Sequence, residues 1–188
     1  MDTTNSRCAA EAGQHFVEWY YPQINAGKPV ASAYTTNNEA YKQASHPPSD
    51  ICVNGLVLAT PEELEKTVEK SRTWTGCPAD RTVRYVVESF NTSVVNGDYK
   101  FAAPQNLVDI HSKNDGVRLM ISLSVSGTVY YGVDRHSRDN VNYAVKKHFN
   151  DLFLLVPNWE VIGRNSKNKA VVGRRYIVAS HTHRAFDE

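Results

Sequence analysis

The sequence predicts an α+β fold, with helices packed on one face of a curved antiparallel sheet. Three observations carry that expectation. The first quarter of the chain has helical spacing of apolar residues. An Asn-Gly turn then leads straight into a strongly capped helix. From about residue 82 onward the pattern is that of long β-strands, and one of them, 149–159 (FNDLFLLVPNW), is apolar on both faces.

Residues 6–26 place Ala9, Ala12, Phe16, Trp19, Tyr20 and Ile24 on one broad face at three- and four-residue spacing, which predicts an amphipathic helix. Asn5 or Ser6 can cap its start, and Gly27 sits where a helix stops. Short helices are expected at 30–34 and 39–44, and SHPPSD at 45–50 breaks them. Residues 50–54 and 56–58 read as a hairpin closed by Asn54-Gly55. Thr60, Pro61 and Glu63 then form a helix start: cap, first-turn proline and capping-box acid. That helix should run to about residue 71, followed by a loop at 72–81.

Strands are predicted at 82–95, 107–112, 117–131 and 141–156, separated by a loop at 96–106, a tight turn at 114–116 and a polar loop at 132–140. In 117–131, Leu119, Ile121, Leu123 and Val125 share a face. Segments 159–163 and 170–180 are expected to close the fold as a hairpin around a basic loop at 164–169. A single domain spanning 1–188, with extended loops, accommodates this order.

The strand at 149–156 turns Phe149, Phe153 and Leu155 to one side, and Leu152, Leu154 and Val156 to the other. A lone antiparallel sheet ordinarily shows water one face. Here both faces need a cover. One cover is the chain's own helices, and the other is expected to be a second protein.

Composition excludes several classes. The formal net charge of +1 gives no global field for nucleic acid or membrane. No apolar run approaches the roughly 20 residues of a membrane helix, and the polar opening MDTTNSR suggests no secretory leader. The three cysteines have neither metal-ligand nor disulfide spacing, which suggests a reducing compartment. There is no nucleophile elbow, phosphate loop or zinc motif. Tyr85, Asp109 and His111 are the only acid-base candidates, the last two placed two apart on a predicted strand. His181 and His183 would share a strand face, but no third ligand is evident, and they read as surface histidines near the C-terminus. No catalytic residue, metal or cofactor is therefore assigned. Arg164, Lys167, Lys169 and Arg174 form a basic cluster that could contact RNA phosphates.

Four strings carry a resemblance over nearly the whole chain: HFVEWYYPQIN (15–25), VNGLVLATPEELEKTVEK (53–70), HFNDLFLLVPNWEV (148–161) and RRYIVASHTHRAF (174–186). They resemble the nuclear transport factor 2-like family and, within it, the small-subunit branch of fungal messenger-RNA export heterodimers. The resemblance implies a cone-like fold and a non-enzymatic role. It also implies sheet-to-sheet pairing with the matching domain of a large export subunit, help in binding phenylalanine-glycine nucleoporins, and a place at the nucleus and nuclear pore with shuttling to the cytoplasm. Ribonucleoprotein is the implied cargo.

The residues agree with the pairing. Met120, Ser122 and Ser124 face outward on one strand and Asn150, Leu152 and Leu154 on the next, with Arg175 and Ile177 as the matching positions on the last. Together they form a patch of small, apolar and amide side chains, the composition of an interface core. Two alternatives remain. One is a homodimeric nuclear transport carrier, for which an acidic sheet rim rather than this basic one is expected. The other is a small-molecule cavity enzyme of the same fold.

Overall fold

The computed structural model describes residues 3–72, 81–110, 115–134, 144–162 and 174–187. The first helix, α1 (Thr3–Asn25), buries Ala9, Phe16, Val17, Tyr20, Tyr21 and Ile24, the face its spacing predicts. It ends in a Schellman motif. Gly27 adopts φ 70°, and the Gly27 and Lys28 amides donate to the Ile24 and Gln23 carbonyls at 2.9 Å each. The Asn25 side chain acts as an extra length of strand, donating to the Tyr85 carbonyl at 2.9 Å and accepting from the Tyr85 amide at 2.7 Å.

Two 3₁₀ turns (Ala31–Ala33, Thr35–Asn37) and helix α2 (Glu39–Gln43) follow. Strands β1 (Asp50–Val53) and β2 (Leu56–Leu58) form the expected hairpin. Asn54 and Gly55 both take positive φ, 50° and 86°, the signature of a type I′ turn. Helix α3 (Pro61–Arg72) starts as its sequence predicts. Thr60 Oγ1 accepts from the Glu63 amide, and the Glu63 carboxylate reaches back to the Ala59 amide at 2.8 Å. A second acid, Glu65, ties this helix to the chain before it by accepting from the Val30 and Ala31 amides at 2.6 and 2.7 Å.

Strands β3 (Arg81–Asn96), β4 (Met120–Asp134), β5 (Val145–Pro157) and β6 (Tyr176–Phe186) complete one six-stranded sheet in the order β2-β1-β6-β5-β4-β3. The expected antiparallel sheet holds for every pair but one: β1 runs parallel to β6. Ile121, Leu123, Val125, Phe149, Phe153 and Leu155 line the inner face and are fully buried against α1. Phe16 and Tyr20 of α1 meet the Phe153 ring edge-on at 5.3 Å.

Two predicted strands do not form over their described residues. Residues 107–112 were expected to be extended, but Gln105–Ile110 is a helix, α4. The Pro104 carbonyl accepts from the Leu107 and Val108 amides and starts the turn. Leu107 packs on the second core and Val108 is half-buried, while the rest of α4 is exposed, so there is no second apolar face to support a strand. Of the predicted segment 159–163, the described residues 159–162 form a turn, with the Val161 and Ile162 amides both donating to the Asn158 carbonyl. The closing hairpin is therefore β5–β6. The loops at 72–81, 132–140 and 164–169 lie largely outside the described residues.

Gly127 sits where β4 passes between β3 and the Phe149 ring. A Cβ there would lie 2.1 Å from the Val86 carbonyl oxygen and 2.9 Å from Phe149 Cε1. Backbone cannot retreat as a flexible side chain can, so Gly127→Ala should destabilise the fold by about 1–3 kcal/mol. Urea unfolding checks this, and an unchanged midpoint would mean that the strands part there at no cost.

Candidate functional site

The outer face of the sheet is divided in two. At one end the chain covers itself. Val156 and Ile177 face outward from β5 and β6, yet both are fully buried in a second core with Tyr41, Tyr99 and Trp159. This cover is pinned by Tyr41 Oη donating to the Pro157 carbonyl at 2.8 Å and Trp159 Nε1 donating to the Phe101 carbonyl at 2.9 Å. Arg118 adds an ion pair to Asp98 at 2.7 Å.

The other end is open. Ser122, Ser124 and Ser126 of β4 lie opposite Leu154, Leu152 and Asn150 of β5, which in turn lie opposite Ser180, Thr182 and Arg184 of β6. Leu152, at the centre, is 49% exposed. Leu154 is half-buried and Asn150 exposed. A central leucine flanked by Leu154, small hydroxyls and one amide, with Arg184 at the edge as the one charged member among those named, presents low charge, which suits close packing against another sheet.

The predicted patch is thus brought together in part. Ser122, Ser124, Asn150, Leu152 and Leu154 are adjacent on the open half. Ile177 is a correction: its side chain is sealed in the second core and offers nothing to a partner. Met120 packs half-buried on that same core. Arg175 is exposed just before β6, its carbonyl accepting from the Asn158 amide at the covered end. Thr182 and Ser180 are the β6 residues that flank the leucines, and both were missed. The reason is a bulge. Leu154 pairs with Ser180 and Leu155 with Val178, so Ala179 is an extra residue that reverses the alternation of β6.

The same bulge overturns the reading of His181 and His183 as surface histidines. Both turn inward and are buried, at 3% and 7% exposed. They converge on Asp151, which is 2% exposed. His181 Nε2 and His183 Nδ1 lie 3.1 and 2.6 Å from Asp151 Oδ1, and Tyr21 Oη donates to Oδ2 at 2.5 Å. Beyond His181, its Nδ1 is 2.9 Å from Tyr34 Oη, which is 2.8 Å from Tyr20 Oη. Burial alone would raise the Asp151 carboxyl pKa, but hydrogen bonds and charge from His181 and His183 outweigh it and hold the group well below the usual carboxylate range. Burial and the neighbouring carboxylate push the Tyr20, Tyr21 and Tyr34 phenols up, so they stay protonated as donors.

Asp151 was legible but missed. Strand alternation puts it on the Phe149–Phe153 face, where a charge inside an apolar row signals a buried partner. A cavity of about 80 Å³ adjoins this cluster, lined in part by Tyr85, Tyr131, Asp151, His181 and His183. The other acid-base candidates are elsewhere. Asp109 is exposed on helix α4, bonded to Gln105, and His111 lies outside the described residues. Of the basic cluster, Arg164, Lys167 and Lys169 lie outside the described residues, and Arg174 is half-buried.

Because the folded pKa of Asp151 is depressed, its carboxylate stabilises the fold above the unfolded value of about 3.9, and that contribution is lost as pH falls through the folded pKa. Asp151→Asn should lower stability at neutral pH by at least about 1.5–3 kcal/mol, the worth of a hydrogen bond to a charged group. The gap from the parent should shrink below about pH 4. Urea midpoints across a pH series test this; equal stability at neutral pH, or a gap that widens in acid, contradicts it.

No protein-family model and no curated protein sequence matches the chain. Solved structures do. A chain of the complex of a Sac3N peptide bound to Mex67:Mtr2 is 48% identical with a TM-score of 0.83, over 95% of this chain and 99% of that one. A structure of Mtr2 is 46% identical with a TM-score of 0.82, over the same shares. A chain of the Chaetomium thermophilum Mex67 NTF2-like domain complexed with Mtr2 is 48% identical with a TM-score of 0.84, again over 95% and 99%. At this identity over nearly all of both chains, the protein belongs to the Mtr2 family of nuclear transport factor 2-like proteins.

Proposed function

We propose that this chain is the small subunit of a heterodimeric messenger-RNA nuclear export receptor, pairing sheet to sheet with the NTF2-like domain of a Mex67-type large subunit. The observation that carries the reading is the open half of the outer face, where Leu152 stands 49% exposed amid small polar side chains. The relatives supply its occupant, since Mtr2 is found with Mex67 in two of the solved complexes. The interface would comprise Ser122, Ser124, Asn150, Leu152 and Leu154, extended by Ser126, Ser180 and Thr182, with exposed Arg175 near the covered end.

The role is binding rather than chemistry. The interior cavity of about 80 Å³ is well below the roughly 300–1,000 Å³ of ordinary ligand pockets. On this reading the heterodimer works at the nuclear pore, where weak contacts to many phenylalanine-glycine repeats add up without slow release. Leu56 and Val57, 61% and 71% exposed on edge strand β2, are apolar side chains suited to such rings. RNA contact through Arg164, Lys167, Lys169 and Arg174 belongs to the same proposal and should weaken steeply with salt.

Leu152→Arg places an unpaired charge at the centre of the interface. Affinity for the Mex67-type domain should fall by more than about 100-fold, from a penalty of about 3–5 kcal/mol. The fold should survive, because the side chain is already half in water in the single chain. Calorimetric titration with the purified domain reads the loss, and wild-type affinity in this variant would rule out the open face as the docking surface.

A further inference from the structure

We propose that Asp151, His181 and His183 form a binding site for one divalent transition ion of the zinc class, inside the cone and on the opposite face of the sheet from the partner surface. Two imidazoles and one carboxylate are a standard donor set for such an ion, with water or another small ligand in the fourth place. Their ligating atoms lie within 4.8 Å of one another, and all three residues are buried.

The outer atoms of two of these three groups are already held. Tyr21 Oη engages Asp151 Oδ2, leaving Oδ1 to face the histidines. Tyr34 Oη engages His181 Nδ1, leaving Nε2 to face Asp151. That is the supporting pattern of metal sites, in which each ligand's far atom is fixed so that its near atom points at the ion. For an ion bound at Nε2, His181 Nδ1 carries the proton and donates it to the Tyr34 oxygen.

Two of the three ligand spacings compare directly with those required, and the third, between the imidazole nitrogens, is within 4.8 Å. With zinc bonds of about 2.0–2.1 Å, ligand atoms of a tetrahedral site lie roughly 3.3 Å apart. The Asp151 Oδ1–His181 Nε2 distance is 3.1 Å, nearly that value. The Oδ1–His183 Nδ1 distance is 2.6 Å, so the His183 ring must withdraw by roughly 0.7 Å to match. It borders the cavity of about 80 Å³, which gives it that room and can hold a fourth ligand. Asn54, an exposed turn residue, also lines the cavity and marks a route to the surface. A divalent ion would take over the compensation of the carboxylate from the two imidazole N–H groups it displaces, leaving the Tyr21 hydrogen bond in place.

The test is titration of the full chain, purified without a histidine tag, with cobalt(II) and then zinc. One equivalent of cobalt should produce the intense visible bands of a tetrahedral site, and zinc should abolish them. His183→Gln should weaken cobalt binding by more than about 100-fold, and Tyr34→Phe, which removes only a supporting group, by about 10–100-fold. On the unaltered chain, zinc should shift the ring-nitrogen resonances of His181 and His183, a readout that needs no variant to fold. Absence of the tetrahedral spectrum, ring resonances indifferent to zinc, or binding unchanged in a folded His183→Gln would each overturn the proposal.

Discussion

Strand β5 has a neighbour on each edge and apolar side chains on both faces, and one layer of helices cannot bury both. The inner row of Phe149, Phe153 and Leu155 is met by α1, whose Phe16 and Tyr20 pack against Phe153. The outer row is met only in part. Val156 lies beneath Tyr41, Tyr99 and Trp159, while Leu152 has no such cover. The second core therefore sets the limits of the open surface: it spends α2, residues 98–107 and the 159–162 turn on one end of the sheet and leaves the other end uncovered.

The inner face carries a second demand. Asp151 brings a charge into the apolar layer, and burying an ionised carboxylate is costly unless it is fully hydrogen-bonded. Three donors converge on it from two elements: Tyr21 from α1, and His181 and His183 from β6. This fixes the orientation of α1 across the sheet and the register of β6 against β5. Asp151 and Leu152 are consecutive, so the polar cluster and the proposed docking surface sit back to back on one strand.

Much of the fold was legible because local chemistry decided it. The helix stop at Gly27, the type I′ turn at Asn54-Gly55 and the cap at Thr60–Glu63 each follow from a residue's own backbone preference or short side chain. The faces of β4 and β5 follow from alternation. What failed depended on distant parts of the chain. Residues 107–112 resemble a strand, with Val108 and Ile110 β-branched, but helix α4 forms over 105–110, where only Leu107 packs on the second core. The bulge at Ala179 has no sequence signature, and without it alternation turns the two histidines outward. Ile177 faces outward either way, and the second core, built from distant segments, is what covers it. The missed third member of the histidine cluster is different. Asp151 is visible as a charge on the wrong side of an apolar strand, but its partners come from the register of β6 and from Tyr21 of α1.

The most direct measurement is light scattering coupled to size exclusion, on the chain alone and mixed with the NTF2-like domain of a Mex67-type subunit. The open, low-charge half of the outer face predicts self-association of the lone chain and a stable one-to-one complex with that domain. A well-behaved monomer that leaves the domain unbound would contradict it, because exposed Leu152 would then need no cover.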